Sequence, residues 1–362
     1  AALLQKSQSS CIFLVRRMIQ YYLGLVLVSF LVNAVAIVPF IDLLYYLSFT
    51  RKKQAPKKGK IPEVDKMHDW KAGTPIGGGI LAVALTTIIY LLMVLFSFKN
   101  WRNYCIYPFV DEVHILLLTF LGFALLGLYD DWIKIFGKPF KGKIGLKFGI
   151  SGKTKFILQW TLGFLIGAFL YFNLGLDFIH IPFTSVVISM SWFFIPFAAF
   201  IIVSFSNAYN VTDGLDGLSV GLLLIALVSF MIISSSALDA PLTIFLAVWI
   251  GSLLAYLYFN IYPARIILGD TGALSFGATL GLIGLLTGKL FALVFIGGLF
   301  IIEILSSLIQ MTSLKFFNKK VFPIAPLHHT FEKIGWEEPK IVMRAWLVGI
   351  VLAIFGLWLA LG

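Results

Sequence analysis

The sequence predicts an all-α integral membrane protein of about ten transmembrane helices, a single polytopic membrane domain spanning residues 1–362. Three observations predict it. Hydrophobic residues fill 60% of the 362 positions and charged residues only 12%, about half the charged share of a soluble domain. Mean hydropathy is +0.96. The chain also divides into ten apolar runs, and its length suits spans of roughly 20 residues joined by short loops.

The runs lie at 19–49, 77–98, 113–129, 156–175, 185–206, 217–238, 240–259, 272–288, 290–313 and 342–361. A helix satisfies its own backbone in hydrocarbon, so each is expected to cross as a helix. The third and eighth are short enough to be tilted or partly re-entrant. The stretch before the first run lacks a small-residue cleavage site, so that run reads as a retained span rather than a signal peptide. Segment 174–186, with Asp177, His180 and Pro182, reads as a short hairpin or loop between spans four and five. There is no internal repeat with matched broken segments, which argues against a secondary transporter. Cys11 and Cys105 have neither metal-site nor disulfide-framework spacing.

An even span count puts both termini on one side and sorts the loops into two sets. Loops 50–76 and 129–155 carry eight and seven Lys or Arg, loop 207–216 none, loop 260–271 only Arg265, and loop 314–341 five; Arg344 joins them. The termini and remaining loops carry Lys6, Arg16, Arg17, Lys99, Arg102 and Lys289. This positive-inside bias places the first set in the cytoplasm and both termini outside. It also accounts for the +11 net charge without a nucleic-acid partner. The basic segment 51–60 reads either as topological charge or as a site for anionic membrane lipids.

The unusual polar residues fall on the same side. Asp130 and Asp131 end span three in GLYDDW; Asn207, Asn210, Asp213 and Asp216 lie in SNAYNVTDGLDGL; Asn260 ends span seven. Asp270 precedes span eight in ILGDTG, His328 and His329 lie in APLHHTFE, and Lys71 opens KAGTPIGGG. Singly these have ordinary readings: an interfacial carboxylate pair, helix caps, a tight turn, surface histidines. Together, five aspartates among lysine-rich loops at one membrane face suggest a metal–phosphate site. Mg²⁺ takes carboxylate and phosphate oxygens, lysines hold the remaining anionic oxygens, and a carboxylate or histidine handles a proton. Glu303 lies inside span nine, where an unpaired charge is costly; it is expected to face the bundle interior, pair with a polar group, or mark a helix break.

GTPIGGG, GLYDDW, SGKTKF, NAYNVTDGLDGL, FNIYPARIILGDTGALSFGA and APLHHTFEKIGWEEPKIVMRAW occur in an order that resembles the MraY (phospho-N-acetylmuramoyl-pentapeptide transferase) family of the polyprenyl-phosphate N-acetylhexosamine-1-phosphate transferase superfamily. The likeness runs from about Lys71 to Trp346. TDGLDGL and GDTG mark the superfamily; PLHHTFEKIGWEEPK is more specific to this branch.

The resemblance implies ten helices, extracytoplasmic termini and an active-site cleft on the cytoplasmic face of the bacterial inner membrane. It implies Mg²⁺-dependent transfer of phospho-MurNAc-pentapeptide from UDP-MurNAc-pentapeptide to undecaprenyl phosphate, yielding lipid I and UMP in peptidoglycan biosynthesis, and is compatible with a homodimer. Carried over, Asp130 and Asp131 match the paired aspartates, with Asp130 as base or as the group aligning the lipid phosphate. Asp270 matches the metal aspartate, and Asp216 resembles a nucleoside contact beside Asp213. His328 is grouped with the catalytic residues. Lys71, Lys134, Lys155, Asn207, Asn210, Asn260, Gln310 and His329 fall at positions expected to line the cleft. Two positions depart from the family pattern: Thr330 replaces the third of three histidines, and Ile267 stands where an aromatic residue is usual. The alternatives are a sister enzyme using another UDP-HexNAc, which PLHH…GWEEP opposes, and a polytopic transporter, which the one-sided aspartates oppose.

Overall fold

The computed structural model describes residues 2–51, 68–101, 104–136, 151–184 and 186–362, without the side chains of 2–17, 69 and 97–101. Most loop lysines behind the topology argument (Lys52, Lys53, Lys57, Lys58, Lys60, Lys66, Lys138, Lys141, Lys143 and Lys147) lie outside the described residues.

The chain is all-α apart from one small hairpin. In order it forms α1 (Ala2–Tyr46), α2 (Gly78–Trp101), α3 (Phe109–Phe136), α4 (Gly152–Phe172), β1 (Phe178–His180), β2 (Val187–Ser189), α5 (Phe194–Thr212), α6 (Leu218–Ser236), α7 (Ala240–Asn260), α8 (Gly269–Leu286), α9 (Leu290–Ile296), α10 (Gly298–Phe316), α11 (Leu327–Lys333) and α12 (Glu338–Leu361). Among the described residues ten helical segments are long and apolar enough to cross a membrane; α9 and α11 are not. This is a multi-pass membrane protein.

α8 sits at the centre: 89% of its apolar window is buried, against 28% for α1 and α12. It packs on α3 and α5; α7 packs on α1, α2 and α6; α12 closes on α6 and α9. Lipid is as apolar as a leucine side chain, so close packing and interhelical hydrogen bonds hold such a bundle. Between α1 and α7, Ser29 Oγ donates to Val248 O at 2.6 Å and Ser252 Oγ to Asn33 Oδ1 at 2.9 Å.

Several elements differ from those read in the sequence. Span three is neither short nor re-entrant: α3 is 28 residues long and continues seven residues past Tyr129. The hydropathy run stops at Asp130, but neighbouring groups pair with its charges and the helix goes on. Span five begins and ends later than 185–206, since Val187–Ser189 pairs with Phe178–His180. The hairpin expected at 174–186 therefore reaches Ser189, as β-branched Val187 and Ile188 favour, and α5 continues to Thr212. Span nine is two helices, α9 and α10, meeting at Gly297. The break lies there and not at Glu303. The histidine pair lies on short helix α11, not in an open loop.

Candidate active site

The site is organised around the N-terminus of α8. Its first backbone N–H groups have no partner within the helix. Asp131, from α3, supplies them: its carboxylate accepts from Asp270 N at 3.0 Å, Thr271 N at 2.9 Å and Thr271 Oγ1 at 2.8 Å. So close an approach requires glycine at 127, where a Cβ would stand 2.1 Å from Asp270 O.

Successive helical side chains point about 100° apart, so Asp130 faces another way from Asp131. Lys134, one turn on, contacts Asp130 Oδ2 at 2.9 Å and Asp270 Oδ2 at 2.8 Å. Lys155, from the first turn of α4, joins the same two oxygens, at 3.0 Å on Asp130 and in a very short contact on Asp270. Asn210 Nδ2 donates to Asp270 Oδ1 at 3.3 Å. Two carboxylates and two ammonium groups, from α3, α4 and α8, thus share one point, with α5 beside it. Carboxylate oxygens are the donors a hard divalent cation takes, and lysines are phosphate binders. The residues present fit Mg²⁺ and a diphosphate.

A second, buried cluster adjoins through the 213–216 loop. Lys71 Nζ lies 2.7 Å from Asp216 Oδ1 and 2.6 Å from Glu338 Oε1. Glu338 Oε1 also accepts from Asp216 N at 2.5 Å, and Asp216 Oδ2 from Ala264 N at 2.9 Å. All three side chains are almost fully buried. Asp213 accepts from Ser219 Oγ at 2.5 Å, and burial pushes its carboxyl up to about 6 against that hydrogen bond.

The histidines form a third group. His328 Nδ1 lies 3.0 Å from Glu303 Oε2, so Glu303 does face the interior and has a polar partner. His328 Nε2 is buried without a partner among the described residues and abuts Gly214, where a Cβ would come within 2.3 Å of it. His329 Nδ1 lies 2.6 Å from Glu332 Oε2, and Glu332 Oε1 lies 3.0 Å from His68 Nε2. Thr330, in place of a third histidine, donates its hydroxyl to Ile324 O.

Asp130, Lys134, Lys155, Asn210 and Asp270 are therefore brought together directly, and Lys71 and Asp216 pair with each other. Three expected cleft residues bond to other groups of the chain. Asn207 Nδ2 donates to Gln159 Oε1 and Val203 O. Asn260 takes Gly217 N and donates to Ile266 O. Gln310 takes Val321 N and Phe322 N and donates to Phe322 O, bracing the loop that leads to α11. At Ile267 the backbone matters: its oxygen accepts from Gly77 and Gly78 N at 3.0 Å, tying the 71–78 segment to the start of α8. Sequence reasoning missed His68, Glu332 and Glu338, and left Glu303 without a named partner. The one available signal was that GWEEP and HHTFE lie beside the histidine pair.

Residues 113–288 match the model of glycosyl transferase family 4. Similar curated proteins share one name, phospho-N-acetylmuramoyl-pentapeptide-transferase. That of Caldanaerobacter subterraneus is 35% identical over 334 residues, 92% of this chain and 97% of its own. That of Halalkalibacterium halodurans is 35% identical over 336 residues, 92% and 95% of the two chains. That of Bartonella quintana is 38% identical over 306 residues, 80% of each.

Proposed function

The chain belongs to the phospho-N-acetylmuramoyl-pentapeptide-transferase family, and on that premise we propose that it transfers phospho-MurNAc-pentapeptide from UDP-MurNAc-pentapeptide to undecaprenyl phosphate, releasing UMP and forming lipid I. The observation that carries this reading is the meeting of Asp130, Asp270, Lys134 and Lys155 at one point. It combines acceptors for a cation with cations for phosphate, as a diphosphate substrate demands.

In the net reaction an oxygen of the lipid phosphate bonds to the sugar-bearing phosphorus. The bond from that phosphorus to the bridging oxygen breaks, and UMP leaves with the electron pair. Lys134 and Lys155 exchange their carboxylate partners for phosphate oxygens as the diphosphate enters. Asp130 aligns the lipid phosphate or takes its proton. Asp131 holds the first turn of α8, and so Asp270, in place. Asp270 would hold Mg²⁺, which when bound neutralises diphosphate charge and stabilises the leaving phosphate. Asp216, fixed by Lys71 and Ala264 N–H, keeps lone pairs for the nucleoside. Of the histidine group, His329 contacts the sugar-peptide side of the donor, while His328 is held between Glu303 and Gly214.

The site is proposed to face the cytoplasm of the bacterial inner membrane, with the termini outside, because basic residues concentrate in the loops on the site's side. Purified protein given UDP-MurNAc-pentapeptide and a polyprenyl phosphate should release UMP and form a polyprenyl-diphosphate-linked product. UDP-GlcNAc in its place should be turned over far more slowly; equal turnover would point to a sister transferase.

A further inference from the structure

Glu332 sits one helical turn after His329 and bridges two imidazoles, His329 at 2.6 Å and His68 at 3.0 Å. His68 and His329 are buried, their rings 5.3 Å apart. An ionised carboxylate accepts hydrogen bonds and donates none. Both contacting ring nitrogens must therefore carry hydrogen: Nε2 in His68 and Nδ1 in His329. The same three side chains have donor atoms within 4.8 Å of one another, the grouping of a His₂–carboxylate cation site. Two ligands about 2.1 Å from one zinc ion stand about 3.4 Å apart in tetrahedral geometry, whereas 2.6 Å is a hydrogen bond. The geometry is that of a relay.

Burial alone would raise the Glu332 carboxyl, but hydrogen bonds from His329 and His68 hold it down at about 2. Burial also pushes His329 below its ordinary range, against the pull of Glu332, so its ring is neutral at neutral pH. A neutral ring protonated at Nδ1 has a bare lone pair at Nε2. Glu332 is the one side-chain hydrogen-bond partner of His329 among the described residues. His328 differs, since its Nε2 is sealed against Gly214.

We propose that Glu332, held in turn by His68, is a positioning residue that fixes His329 as a hydrogen-bond acceptor at Nε2, so that His329 recognises an N–H or O–H group of the sugar-peptide portion of the donor and not a phosphate oxygen. This rests on His329 being a donor-substrate contact. An imidazolium at the same place would select phosphate; burial keeps the ring neutral against the pull of Glu332, and the bridging carboxylate sets which of its nitrogens is left bare.

The test is a double-mutant cycle in purified full-length protein, reading KM for UDP-MurNAc-pentapeptide separately from kcat and from KM for polyprenyl phosphate. Glu332→Gln turns one of the two bridging acceptors into a donor. It should raise the donor-substrate KM about tenfold, the worth of one hydrogen bond, with kcat and the lipid KM within about twofold. His329→Ala should do the same. In the His329→Ala background Glu332→Gln should add nothing, because the group it positions is gone. A merely structural Glu332 would give additive effects. His68→Gln serves for the same cycle if Glu332→Gln does not fold. Additive effects, or a donor KM raised by His329→Ala but not by Glu332→Gln, overturn the proposal and leave His329 as a contact. A donor KM unmoved by His329→Ala removes that contact, and the proposal with it.

Discussion

Asp131 of α3 caps α8: its Oδ2 takes both the backbone N–H of Thr271, at 2.9 Å, and its hydroxyl, at 2.8 Å. The second carboxylate of the aspartate pair thus builds the platform on which Asp270 stands, while the first faces the lysines. Asp131→Ala should lower stability by about 1–3 kcal/mol, the loss of a cap plus an unsatisfied buried N–H. Activity should fall with it, because the backbone of Asp270 is released. Asp131→Asn keeps one acceptor oxygen and should cost less in Tm. Melting in detergent, measured beside UMP release, checks both; equal melting of the two variants would contradict the capping role.

Lys71 pairs with two buried carboxylates, Asp216 and Glu338. Lys71→Met should destabilise by about 3–5 kcal/mol, since it leaves uncompensated buried charge. Glu338→Gln in that background should recover part of the loss. No recovery would mean that the pairing is not what Lys71 contributes.

Gly214 admits the ring of His328, and a methyl group there would overlap Nε2. Gly214→Ala should cost about 1–3 kcal/mol from overpacking and reduce turnover. Adding His328→Ala should restore the melting temperature but not the activity. A Gly214→Ala variant with unchanged Tm and rate would contradict the close packing.

The ten spans and the gathering of aspartates at one end were legible because hydropathy and span parity are local, countable properties. What each charged residue does there was not. Asp130 and Asp131 look equivalent in GLYDDW, yet a 100° turn sends one to the lysines and the other to α8, and only the packing of α3 on α8 says which. Glu338 reads as a polar helix start beside Pro339; its burial depends on α12 closing over the loop before α6, a contact of residues more than a hundred positions apart. Asn260 and Gln310 bond to backbone groups of neighbouring loops, and Asn207 to the Gln159 side chain of α4, partners that sequence spacing does not reveal.

The sidedness rests on basic residues. In a protein lacking Cys11 and Cys105, single cysteines placed by Lys58→Cys and Lys143→Cys should resist an impermeant thiol reagent in intact cells, whereas Lys289→Cys should label. Labelling at the first two positions would reverse the orientation.

The carboxylate–lysine point around Asp270 is the centre of the account, and a magnesium titration of Asp270→Asn tests it most directly. The purified wild type should release UMP from UDP-MurNAc-pentapeptide only with polyprenyl phosphate and Mg²⁺ present. Asp270→Asn keeps the shape but removes the charge, and should lose at least about 100-fold in turnover at every Mg²⁺ concentration, with elution volume and Tm close to wild type. Near-normal turnover with unchanged magnesium dependence in Asp270→Asn would contradict the assignment of this site.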